Sequence, residues 1–158
     1  YSFYQTVYGN VAIASTTVGV CSISFYDNKI QAIENLRLHF SSADLIHKSV
    51  EFHAIALSYI TQNELDLPNI TLHVVGTDFQ IMVWKSLLAI PQGTKVSYSK
   101  VAEYCNKPKA VRAVASAIAK NPIAIIIPCH RVISLSGKIG NYRWGADLKK
   151  VILKHEES

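Results

Sequence analysis

The run Ile123-Ala124-Ile125-Ile126-Ile127 ends on Pro128-Cys129-His130-Arg131, and no other stretch constrains the chain as much. An unbroken apolar run goes into a core. It sets a thiol, an imidazole and a guanidinium side by side where the buried segment ends. A cysteine in such a place often serves only as a small hydrophobe. Flanking cations instead favour thiolate, the nucleophilic form, which an ordinary thiol populates to only a few per cent near neutrality. Cys129 and His130 are therefore candidates for a nucleophile and its base. Read as a strand, the segment points adjacent side chains to opposite faces, so the two groups meet only through an intervening water unless the backbone turns.

The chain has 158 residues, 49% apolar and 17% charged, enough to bury a core and too apolar for a disordered chain. No apolar stretch is long enough to span a bilayer. The start, Tyr1-Ser2-Phe3-Tyr4, lacks an initiator Met, as expected of a trimmed chain or a piece of a longer one, and lacks the basic flank and apolar core of a secretory signal. Three cysteines at wide spacing (Cys21, Cys105 and Cys129) argue against a disulfide framework and for a reducing compartment, the cytoplasm. No CxxC pair occurs, and the six histidines follow no metal-ligand spacing, so no metal is expected. Residues 1–78 carry three basic and seven acidic residues, a net of −4, whereas residues 79–158 carry thirteen basic and four acidic ones, a net of +9. Such asymmetry fits one face meeting a polyanion, with a solvated surface as the plain alternative.

The pattern predicts an α+β fold in two parts, 1–76 and 77–158. The runs Val11–Ala14 and Val20–Tyr26 around Gly19 read as an antiparallel hairpin, with room for further strands. Residues 29–62 are helical in part, with Phe52, Ile55, Ala56 and Tyr59 on one face. Leu67-Pro68-Asn69 reads as a turn and Ile70–Val75 as a short β-like run. Asp78 is the expected N-cap of a helix from Phe79 to Ile90, stopped by Pro91 and Gly93. Ser97 or Ser99 can cap a short helix reaching Cys105, and Pro108 suits the first position of another that ends near Lys120. Helix, short turn, helix is a DNA-binding pattern, although many such pairs bind nothing. On the second helix Val111, Val114 and Ile118 form an apolar stripe, and Arg112, Ala113, Ser116 and Ala117 lie opposite. Small residues let a backbone approach a grooved partner closely. Lys107, Lys109 and Lys120 around them favour a phosphate backbone.

In chain order there follow Val96-Ser97-Tyr98, Lys107-Pro108-Lys109-Ala110-Val111-Arg112-Ala113-Val114, Asn121-Pro122, Ile127-Pro128-Cys129-His130-Arg131-Val132, Gly140-Asn141-Tyr142 and His155-Glu156. With these motifs the chain resembles the O6-alkylguanine-DNA alkyltransferases, densely from about Asp78 onward and weakly before. KAVRAVASA, AIIIPCHRV and YRWG look most like the alkyltransferase half of the bacterial adaptive-response proteins; nothing here matches the zinc-thiolate domain of those proteins.

The resemblance implies a small ribonuclease-H-like N-terminal α/β domain and a mostly helical C-terminal domain with a helix-turn-helix. It implies methyl transfer from O6-methylguanine, and from O4-methylthymine, in double-stranded DNA to Cys129, once per molecule and without a cofactor. His130 would take the thiol proton through a water, Glu156 would orient His130, and Asn121 would bond the backbone around Cys129. Arg112, Ala113 and Ser116 would enter the minor groove, with Arg112 filling the gap left by a flipped base. Tyr98 would press on the target phosphate and Tyr142 would bond the base. Arg131, Arg143 and Trp144 would complete the DNA and base contacts. Relatives with roomier pockets carry Gly where Trp144 stands and Pro where Ala124 stands, which implies a preference for methyl over benzyl. A bacterial, DNA-associated monomer is expected. Two other readings remain open at this point: a non-catalytic damage sensor of the alkyltransferase-like type, in which the acceptor Cys is replaced, and a thiol hydrolase pairing Cys129 directly with His130.

Overall fold

The computed structural model describes residues 1–61 and 69–157. The chain divides into two compact units, Tyr1–Val74 and Val75–Ser158. In the first, β1 (Ser2–Thr6), β2 (Gly9–Ser15) and β3 (Val20–Phe25) form an antiparallel meander. The expected hairpin therefore gains a strand at the N-terminal side, with Tyr4 opposite Val11 and Ile13 opposite Ile23. Val11, Ala12, Ile13 and Ala14 are all buried, so both faces of β2 are covered. Helix α1 (Lys29–His39), capped by the Asn28 side chain, packs Leu36 with Ala14 and Cys21. Helix α2 (Glu51–Thr61) covers the opposite face, where its His53 meets Tyr4 and Ser15. The α2 residues that go in are His53, Ala56 and Ile60, while Phe52, Ile55 and Tyr59 flank them half-buried. The expected turn at Leu67-Pro68 lies outside the described residues. The Ile70–Val75 run adds a single parallel bridge, Leu72 to Val20, rather than a strand.

In the second unit α3 (Asp78–Leu87) is capped by Thr77, not Asp78. The Thr77 hydroxyl accepts from Gln80 N–H and the Gln80 side chain accepts from Thr77 N–H, so two orphan donors are satisfied at once and Asp78 is left as the first helical residue. Ser97 caps α4 (Tyr98–Tyr104). Helix α5 (Val111–Ala119) starts later than Pro108 predicts, because Ala110 N–H bonds back to Lys107 and closes a separate turn there. Ala117, expected outside, is buried, and its carbonyl accepts from the Trp84 indole of α3 at 2.9 Å. Two short parallel strands, β4 (Val96–Ser97) and β5 (Val132–Ile133), tie the start of α4 to the segment after Cys129. The last helix, α6 (Ala146–Glu156), buries Lys149, Ile152 and Leu153. No helix of the described residues is long and apolar enough to cross a membrane.

The apolar run before Cys129 is not a strand. Ile123, Ala124 and Ile127 are buried, but the backbone doubles back with Ile126 N–H on the Ala124 carbonyl at 2.7 Å. Ile125 takes φ 66 there, a left-handed conformation that a β-branched residue adopts only under constraint from its surroundings.

Candidate active site

The constraint comes from Asn121. Its carboxamide oxygen accepts from Ile123 N–H at 2.9 Å, and its Nδ2 donates to the Ile123 and Ile127 carbonyls at 3.1 and 2.8 Å. One amide thus gathers both ends of the apolar turn, in place of the ladder hydrogen bonds a strand would need. The same Nδ2 lies 3.1 Å from the Cys129 sulfur. Cys129 opens a single 3₁₀ turn, Cys129–Arg131, so it and His130 are splayed by a helical turn and not by strand alternation.

His130 is wholly buried. Its Nε2 is 2.8 Å from Glu156 Oε1, while its Nδ1 has no hydrogen-bond partner among the described residues. Glu156 is held well below the usual carboxylate range, at about 2, because His130 and Arg131 outweigh the cost of burying it. An ionised carboxylate only accepts, so Nε2 must carry the hydrogen. Burial, helped by the charges of Arg131 and Lys149, holds His130 toward its neutral form against the pull of Glu156. A neutral imidazole with its hydrogen on Nε2 offers a bare lone pair at Nδ1, which is the atom left without a partner.

The electrostatics around the sulfur differ from the sequence expectation. Arg131 does not flank the thiol with a free charge. Its Nε and Nη2 donate to Glu156 at 3.0 and 2.7 Å, and its Nη1 donates to the Ile90 carbonyl at 2.6 Å. The expected DNA contact of Arg131 is replaced by this internal fork, because a buried carboxylate needs a bidentate partner more than the solvent-facing side needs another cation. The cations that do act on Cys129 are Lys149 and Arg143. Lys149 is fully buried, donates to the Val132 carbonyl at 2.6 Å, and is pushed down to about 8 by desolvation. Arg143 donates to the Asn121 carbonyl at 3.1 Å. These contacts do not prevail at rest: burial pushes the Cys129 thiol up to about 11. The resting sulfur is a neutral thiol, not the thiolate that its neighbours in sequence imply.

Lys149 was missed at the level of sequence, although a signal exists. Lys149, Ile152, Leu153 and Glu156 fall at the i, i+3, i+4, i+7 spacing of one helical face, so the two charges sit on the buried stripe of α6.

The remaining expected residues divide into two groups. Tyr142 has a buried hydroxyl with no hydrogen-bond partner among the described residues, and both its titration and that of Tyr98 are pushed up by burial and, less, by the charge Cys129 would carry when ionised. Both hydroxyls therefore lie within electrostatic reach of the sulfur. Trp144 stands edge-on to Tyr142 at 5.2 Å between ring centroids, with the Arg143 guanidinium 5.6 Å from its own ring. By contrast Arg112, Ala113 and Ser116 project from the exposed side of α5 and take no part in the Cys129 cluster. Among the described residues no group of three or more His, Cys, Asp or Glu side chains converges as a metal site would.

A buried thiol next in sequence to a buried neutral imidazole that is held by a carboxylate is an arrangement that suits a cysteine acceptor of a transferred group. The family model described as "6-O-methylguanine DNA methyltransferase, DNA binding domain" matches residues 78–158, and the chain belongs to this family. It is 39% identical over 158 residues to the bifunctional transcriptional activator/DNA repair enzyme Ada of Escherichia coli, covering 99% of this chain and 45% of that protein. It therefore spans about half the length of that curated relative. It is also 38% identical over 160 residues to a methylated-DNA–protein-cysteine methyltransferase of Methanosarcina barkeri, covering 100% of this chain and 97% of that one. Among solved structures, Mycobacterium tuberculosis OGT in complex with DNA superposes with a TM-score of 0.72 at 30% identity, over 99% of this chain and 91% of that one.

Proposed function

We propose that this chain repairs alkylated DNA by direct reversal, moving the methyl group of O6-methylguanine, and of O4-methylthymine, onto Cys129 once per molecule. The observation that carries this is the bare Nδ1 of a buried, neutral His130, whose other nitrogen is fixed on Glu156, one residue from a buried thiol. A bridging water passes the thiol proton to Nδ1, and His130 gains charge as Glu156 balances it. The sulfur electron pair then bonds the methyl carbon while the carbon–oxygen bond breaks. Its electrons go to O6, and with a proton the base leaves as guanine. Lys149 and the Asn121 amide face the negative charge that appears on sulfur as its proton leaves, before the methyl carbon is bonded. A thioether has no carbonyl for water to attack, so the protein remains methylated.

A stacked O6 is out of reach of a buried sulfur, so the base must be extruded, at about a few kcal/mol. In this reading α4, the turn after it and α5 form a helix-turn-helix whose small face (Ala113 and Ser116) enters the minor groove. Arg112 fills the vacated stack, Tyr98 presses on the target phosphate, and the unpartnered Tyr142 hydroxyl bonds the flipped base. Arg143 and Trp144 border the base, and Trp144 beside Tyr142 narrows the entry, favouring methyl over benzyl. The first unit serves as a ribonuclease-H-like N-terminal domain to a C-terminal alkyltransferase domain, and the protein works as a monomer in a reducing, DNA-containing compartment, the bacterial cytoplasm. The decisive measurement is an intact mass after mixing with a duplex carrying one O6-methylguanine. One methyl group should appear on Cys129 and none on Cys129→Ser. Repeated turnover of excess DNA, or methyl on another residue, would reject the mechanism, and no loss of methyl from the DNA at all would leave a non-catalytic sensor as the reading to pursue.

A further inference from the structure

Two donor side chains claim one carboxylate. Glu156 accepts from His130 Nε2 and from the Arg131 fork, and the amide of Gly93 stands 3.4 Å from its Oε2. Gly93 has φ +73, and a Cβ there would press on the Glu156 carbonyl at 3.3 Å, so the loop after α3 is shaped to meet the end of α6. Arg131 commits all three of its nitrogens inside the protein, two to Glu156 and one to the Ile90 carbonyl of that loop. Its side chain is only 15% exposed. A bidentate contact to a phosphate would require it to release a buried carboxylate, and a carboxylate left unpaired there is costly.

We propose that Arg131 is a positioning residue for methyl transfer: it pins Glu156 to the loop after α3, so that one carboxylate oxygen stays on His130 Nε2 and Nδ1 stays open to accept a proton. The proposal rests on the reading that His130 takes the thiol proton. Arg131 has a second effect through space. The charged groups facing His130 are Glu156 and Lys149 from α6 and Arg131 from its own turn. Glu156 favours the protonated imidazole, and both cations oppose it. Burial is the larger cause of the neutral imidazole, and the Arg131 charge adds to it.

The test compares the wild-type protein with Arg131→Gln, Arg131→Lys, Glu156→Gln, His130→Gln and the Arg131→Gln/Glu156→Gln double variant. Methyl transfer is followed by intact mass across a pH series, from free O6-methylguanine and from a duplex carrying it, and affinity for unmodified duplex is measured separately. Arg131→Gln should slow transfer from both substrates by the same factor, on the order of tenfold, as expected when a partner that orients a functional ligand is lost. Its acid limb should move to higher pH, duplex affinity should be unchanged, and the double variant should be no slower than Glu156→Gln alone. Arg131→Lys keeps the charge but not the fork, so it should slow transfer with the acid limb unmoved, and it serves if the glutamine variant does not fold. Weaker duplex binding with normal transfer from the free base would make Arg131 a phosphate ligand and overturn the proposal. An unshifted pH profile in Arg131→Gln, with only a lower melting temperature, would overturn it too. A wild-type rate in His130→Gln would instead sink the reading of the base itself.

Discussion

At the scale of single residues, the contest over Cys129 is between desolvation, which holds the proton, and the Asn121 amide, Lys149, a backbone N–H and Arg143, which favour its release. Desolvation wins at rest, leaving the thiol near 11. Reactivity must therefore come from coupling proton removal to methyl transfer rather than from a standing thiolate. Lys149 is the buried charge best placed to help, and its own titration near 8 sets a limit. It is charged below that pH and loses its charge above it. Transfer by the wild-type protein should accordingly decline as pH rises through about 8. Lys149→Met should be slow throughout, and Lys149→Gln, which keeps a donor for the Val132 carbonyl but not the charge, should be nearly as slow. A Lys149→Gln rate equal to wild type would remove the charge from the mechanism. At the pocket edge, Trp144→Gly should raise reactivity toward free O6-benzylguanine while leaving methyl transfer nearly unchanged. An unaltered benzyl rate would show that the indole merely packs on Tyr142.

At the scale of elements, α5 is the proposed interface. Its buried side is fixed by Val114, Ala117 and Ile118 and by the Trp84 indole, so the exposed side with Arg112, Ala113 and Ser116 can only present outward. Arg112→Ala should slow repair in duplex far more than transfer from the free base, measured side by side by intact mass, because only the duplex needs an open stack. Equal slowing would remove Arg112 from that role. Helix α3 supports α5, and its capping box is a local, separable contribution. Thr77→Ala should lower stability by about 1 kcal/mol in urea unfolding without changing the rate of transfer.

At the scale of the whole molecule, buried imidazoles and a buried carboxylate make the protein acid-labile. His53, bonded to Tyr4 and Ser15, is lowered from 6.5 to about 4 by burial and by the positive N-terminus. Between those values the unfolded chain takes up a proton that the folded one refuses, so stability falls as pH drops from 6.5 to about 4. Glu156 is lowered from 4.5 to about 2, so its contribution is full above 4.5 and is lost as pH falls toward 2. Melting temperatures should decline in two stages over these windows. His130, also lowered by burial, adds to the upper stage, so His53→Gln should shrink that stage without abolishing it and leave the lower one. The +9 net charge of residues 79–158 predicts that duplex affinity falls steeply as salt rises. A flat salt response would argue against a phosphate-tracking face.

The sequence by itself marked the candidate chemical residues and roughly where the elements lie. Cys129, His130, Asn121 and Glu156 carry recognisable order and spacing, and the periodicity of α5 and the turn residues of the first unit are local properties of the chain. It did not determine the shape of the 123–127 run, because a single side chain, Asn121, supplies the backbone with partners that only a folded chain can bring together. Nor could it decide which cation serves which anion. Arg131 is two residues from Cys129 in sequence yet is spent on Glu156, while Lys149, twenty positions away, reaches the sulfur from the buried stripe of α6. Charge pairing depends on distance and burial, and both are fixed by packing rather than by proximity along the chain.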